Sequence, residues 1–218
     1  APVRAGISVI ALQILALAAA NGAAALGAHE LVRKFRSGRA STDAVLFLFL
    51  HLLIVSTAVL TLGLLRRLDW ITAGIAGGVA LIGLGARGAF RRLPAPVRPP
   101  WPTALLFFLG LVGARLLAQT AAFSPHFCDV ISYMLPKVAI WVQSGTIGAD
   151  VGVDPRGWFP AGFELVETWW VFFLRHDALI ELAGIEFLAL GFAATYSLSK
   201  DLACSDRAAA ISATCFIL

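Results

Sequence analysis

The sequence predicts an all-α protein: a polytopic transmembrane helix bundle with an interfacial amphipathic helix in an outer loop. Three observations support this. Apolar residues make up 59% of the 218-residue chain and charged residues only 14%, against about 25% charged in soluble domains. The apolar residues fall in runs near the ~20 that a bilayer core requires. Basic residues gather in the turns between those runs, which is how membrane topology is encoded. The net charge of +4 therefore speaks of topology, and nucleic acid is excluded as a partner.

Six spanning segments follow in order. The first, Ala5–Ala28, is rich in alanine and free of charge. The second is Ala44–Leu65. The third, Trp70–Ala86, is short and glycine-rich, with Gly74 and Gly78 spaced for close approach of a neighbouring helix. The fourth is Trp101–Ala122, the fifth Phe159–Leu174 and the sixth Ala178–Ser199. A seventh begins near Arg207. The fifth is short, so it either begins in the interface or carries its carboxylates near one end. "RRLPAPVRPPWP", Arg91–Pro102, holds five prolines in twelve residues and reads as a stiff link. It divides a three-helix membrane module, residues 1–100, from a second part, residues 101–218, expected to be incomplete at its C-terminus.

Loop charges orient the bundle. Arg33, Lys34, Arg36 and Arg39 follow the first segment, and Arg87, Arg91, Arg92 and Arg98 follow the third. The turn between these two carries only Arg66 and Arg67, offset by Asp69. The two richer turns belong on the cytoplasmic side, which places the loop from Phe123 to Trp158 outside. Acids are distributed the other way. Three precede Phe123 and ten follow it, and carboxylates at membrane depth are costly unless used. Glu164, Glu167, Glu181 and Glu186 belong to that group. The three cysteines, Cys128, Cys204 and Cys215, have no metal or disulfide spacing and read as small packing residues.

The outer loop opens with "CDVISYMLPKVAIWVQSG", Cys128–Gly145. On a helical wheel Ile131, Met134, Leu135, Val138 and Val142 share one face. Asp129, Ser132, Tyr133, Lys137 and Gln143 fall on or near the other. This is the pattern of a helix lying in the interface, with a kink expected at Pro136. Asp129 stands at the helix start, where a carboxylate caps free N–H groups. His126, Cys128 and Asp129 fit no standard metal site, and no metal ligand is assigned.

The same stretch resembles the first outer loop of the GT-C superfamily of polytopic glycosyltransferases, which includes protein O-mannosyltransferases and lipid A aminoarabinose transferases. The matching residues are Asp129, Tyr133, Leu135, Pro136, Lys137, Trp141 and Gly145. A second block, "WFPAGFELVETWW", is similar to the family's next helix in Glu164, Leu165 and Trp169. A third, weaker block is "LSKDLACSDRAAAISATCFIL". The resemblance covers roughly residues 101–218 and takes the chain for the N-terminal part of such an enzyme. It implies transfer of a sugar from a polyprenyl-phosphate donor to a hydroxyl on a lipid, glycan or protein, at the outer face of a bacterial cytoplasmic membrane. It implies that Asp129 is the general base or orients the acceptor, with Tyr133, Lys137 and Glu164 binding substrate. It names no resident cofactor and leaves a divalent cation open. The alternative is a non-catalytic membrane subunit packed in a larger complex.

Overall fold

In a computed structural model, residues 2–92, 134–148 and 162–217 are described, with single helical positions at 110, 113–115 and 118. All regular structure among the described residues is helical, as the composition predicts. Helix α1 is Pro2–Lys34, α2 Ala40–Leu64 and α3 Trp70–Ala86, followed by a 3-10 turn at Ala89–Arg92. Next come α4, Leu135–Ser144; α5, Gly162–Phe172; a 3-10 turn at Asp177–Leu179; α6, Leu182–Asp201; and α7, Asp206–Ile217. Ser8–Lys34, Ala40–Leu64 and Leu182–Asp201 are long and apolar enough to cross a membrane. The chain is an integral membrane protein. Large apolar side chains such as Leu15, Ile75 and Ile82 stand exposed on the helix surfaces, as a lipid-facing exterior requires.

The first three helices pack by omission of side chains. On α3, a Cβ at Gly74 would lie 2.6 Å from the Ala16 Cβ, and one at Gly77 would lie 2.6 Å from the Ala20 Cα. Backbones this close gain dispersion contacts that larger residues would prevent. The sequence pointed to Gly74 and Gly78. A Cβ at Gly78 meets nothing within 4 Å, so the contact uses Gly77 instead. The register between α1 and α3 follows a three-residue step. Asp69 begins α3 as its N-cap, accepting a bond from the Thr72 N–H at 2.9 Å.

Helix α2 is central, packing on α1, α5 and α6. Its buried Val55 and Val59 join Trp141 and Val142 of α4 and Val166, Trp169 and Phe172 of α5 in one core. The part of the chain before the proline-rich link and the part after it therefore share apolar surface.

Contacts at the helix ends sort the turns into two sides. The Arg92 guanidinium lies 3.7 Å from Glu30, and the Arg92 carbonyl lies 3.2 Å from His29. The two arginine-rich turns are thus on one side, as expected. At the far end, the Leu68 N–H donates to the Gly145 carbonyl at 3.1 Å, and the Ile147 N–H to the Gly63 carbonyl at 3.2 Å. Residues 145–147 therefore sit opposite the arginine turns.

Two expectations change here. Six full crossings in alternation would put the turn after the sixth segment on that opposite side. Instead Asp201, the last residue of α6, pairs with Arg39, and Ser197 lies 3.2 Å from Thr42. The reason is the fifth segment. Its described helix is eleven residues, roughly 16 Å, against a hydrocarbon core of about 30 Å. Phe163 in its first turn packs on Phe187 of α6 at 5.3 Å between ring centroids. Helices α5 and α6 thus lie side by side as a hairpin. Helix α6 also starts at Leu182, later than expected, because the chain first makes the 3-10 turn at Asp177–Leu179. The fourth segment, beyond its few described positions, lies outside the described residues.

Candidate functional site

The site is built where α4 meets α5. Helix α4 ends at Gly145, whose φ of 70° is left-handed and whose N–H donates to the Trp141 carbonyl at 2.9 Å. That geometry favours glycine at a helix C-terminus. The turn beyond it is tied to the end of α2: the Thr146 Oγ1 hydroxyl and the Ile147 N–H both donate to the Gly63 carbonyl. Gly63 must be small, because a Cβ there would fall 2.5 Å from Ile147 Cγ1. Pro136 sits in the first turn of the described helix, where its missing N–H costs little. The expected kink therefore falls at the edge of the described residues.

Anchored in this way, α4 turns Lys137, Val138, Trp141 and Val142 inward. The wheel had placed Lys137 on the polar edge, but its side chain is fully buried. Lys137 Nζ donates to Glu164 Oε1 of α5 at 2.8 Å, and Glu164 is itself only 4% exposed. The Trp141 ring lies beneath the ammonium, 6.0 Å from nitrogen to centroid. A local wheel could not reveal this partner, which is 27 residues away in sequence.

Around the pair, α5 is unusually polar for a buried helix. Thr168 Oγ1 donates to the Glu164 carbonyl at 2.6 Å. Glu167, one turn after Glu164, is also buried, and its Oε2 has no hydrogen-bond partner among the described residues. On the neighbouring face Trp169 Nε1 donates to Asn21 Oδ1 of α1 at 3.1 Å, while the Asn21 amide donates to the Leu17 carbonyl. Asn21 was missed in the sequence. Its only signal was being one of two amides, with Gln13, in an otherwise apolar run. Glu186 of α6 lies 3.7 Å from His51 Nδ1 of α2.

Of the four predicted site residues, the structure brings Lys137 and Glu164 into direct contact. Asp129 and Tyr133 lie outside the described residues, as do Asp150 and Asp154. Among the described residues, no group of three or more His, Cys, Asp or Glu side chains is arranged to hold a metal ion. Chemically, the Lys137–Glu164 pair is a buried ion pair with the carboxyl of Glu167 nearby. Its ammonium is directed at a carboxylate, so it fixes α4 onto α5. Breaking such a pair strands a buried charge.

Compared with protein-family models, curated proteins and solved structures, the chain matches none.

Proposed function

We propose that the chain forms the membrane core of a GT-C-type glycosyltransferase. In this reading the arginine-rich turns face the cytoplasm of a bacterial cell. A polyprenyl-phosphate sugar is the donor, and a hydroxyl of a lipid, glycan or protein attacks the anomeric carbon at the outer face. Asp129 removes the hydroxyl proton as the bond forms, because a neutral hydroxyl is a weak nucleophile. The leaving phosphate requires positive partners.

The observation that supports this reading best is the contact of Lys137 with Glu164 at 2.8 Å. The two residues come from separate blocks of the resemblance, and their meeting gives both blocks one physical purpose. The pair locks the helix that follows Asp129 against α5. Glu164 then acts as a positioning residue, and Lys137 holds the helix in place.

The test is Asp129→Asn in the full-length protein, reconstituted with lipid-linked sugar and acceptor. Transfer should fall about 10²–10⁴-fold, the range for loss of a general base, with helicity and melting unchanged. An unchanged rate would sink the assignment of Asp129 as the base, whereas no transfer by the wild-type protein would favour the non-catalytic subunit.

A further inference from the structure

Helices α2 and α3 both pack on α1 but scarcely touch each other. Between them runs a groove of about 850 Å³. Ala20 and Gly27 of α1 form its floor, Ala58 of α2 one wall, and Ala76 and Gly83 of α3 the other. Arg87 stands at the end on the side of the arginine turns. From Ala73 to Arg87 the α3 wall is about 21 Å long. The groove's lining is almost wholly apolar along that length, which suits a flexible hydrocarbon chain. Its charge is at one end only. Arg87 is exposed at the C-terminal end of α3, and among the described residues it makes no ion pair, whereas Arg33 and Arg92 both engage Glu30.

We infer that this groove is a binding site for one anionic phospholipid, with an acyl chain along the Ala/Gly floor and the phosphate on Arg87. The apolar length and the terminal cation fit the two ends of one amphiphile. The site does not depend on the glycosyltransferase reading, because none of its contacts involves Lys137 or Glu164. Its Arg87 end lies on the side of the bundle opposite residues 145–147.

The experiment uses full-length protein reconstituted in equal amounts of phosphatidylglycerol and phosphatidylcholine. The protein is then extracted in mild detergent, and retained lipid is counted by native mass spectrometry. The expected result is one retained phosphatidylglycerol per chain. Arg87→Gln should lower the preference for phosphatidylglycerol about fivefold, the worth of one basic residue near an anionic surface. Gly83→Leu, whose added side chain starts in open space, should expel lipid of both kinds without altering helicity or melting. Thr57→Phe fills the groove from the opposite wall and serves if Gly83→Leu fails to fold. Retention that is the same in the wild type and in every variant would overturn the site. So would a disulfide between cysteines placed at position 83 and within residues 101–122, because the chain's own segment would then occupy the groove.

Discussion

Helices α1 and α3 adhere because side chains are missing; α4 and α5 adhere because long side chains reach across and meet. At the first junction Gly74 and Gly77 let two backbones approach, and the attraction is dispersion spread over many atoms. At the second, Lys137 and Glu164 meet at a single contact of 2.8 Å, surrounded by Trp141, Val138 and Val166. The first junction is tolerant of charge pattern and intolerant of volume. The second is the reverse. Lipid tails offer helices no hydrophobic gain for associating with one another, so each junction must supply its own reason for being in one register. The glycine notch does this by shape and the ion pair by charge.

The largest effect should come from splitting the charge pair. Lys137→Met leaves Glu164 buried without its cation and should cost about 3–5 kcal/mol, read from equilibrium unfolding in detergent. Adding Glu164→Leu to that variant should recover most of the loss, since an apolar pair of similar volume replaces a buried ion pair at little cost. If the double variant were as unstable as the single one, the junction would rest on something other than charge compensation.

The glycine junction should respond next. Gly77→Val must displace the Ala20 backbone and should lose about 1–3 kcal/mol by overpacking. Gly78→Ala, one residue on and facing open space, should be neutral or gain up to about 1 kcal/mol from helix propensity. Equal effects at the two positions would contradict the α1–α3 register described above.

The smallest effect sharpens the contrast between buried and exposed charge. Between the last turn of α6 and the start of α7, Lys200 Nζ lies 2.9 Å from Asp206 Oδ1, with both side chains partly exposed. The hydrogen bond from Lys200 holds the Asp206 carboxyl below its ordinary value. A depressed carboxylate stabilises the fold above its unfolded pKa, about 3.9, and that contribution disappears as pH falls through the lower folded value. Asp206→Asn should therefore change thermal stability slightly at neutral pH. It should also flatten only the most acid part of the pH profile, and added salt should shrink the difference further. A loss as large as that of Lys137→Met would show that the turn is not solvated as its exposure implies.

These junctions also show what can be read from sequence. The helical class follows from composition, because a chain this apolar must satisfy its backbone internally. The shared side of the two arginine turns follows from counting charges. Near a glycine pair the sequence gives the helix face only approximately: it pointed to Gly78 where the contact uses Gly77. Lys137 was hidden for a different reason. A wheel ranks residues by local amphipathicity, and a lysine beside Val138 and Trp141 is drawn to the polar edge until a carboxylate from another helix is placed opposite it. Glu164 and Lys137 were both singled out in the sequence, but not as partners of each other. The fifth segment reads as short, but its composition conceals the turn that cuts its helix to eleven residues. Asp129 and Tyr133 lie outside the described residues, so the chemistry proposed for them rests on the resemblance and on the helix that follows them.

The tie between the α4 turn and the end of α2 has a consequence for how this protein can vary. Two of its bonds, Ile147 N–H to Gly63 and Leu68 N–H to Gly145, run between main-chain atoms. Substitution leaves peptide groups in place, so the turn can exchange most of its side chains without losing its mooring. The demands fall on Gly63, which must stay small, and on Gly145, which must bend left-handed. A lineage could rewrite the neighbouring loop while these two glycines kept it fastened to the same point on the bundle.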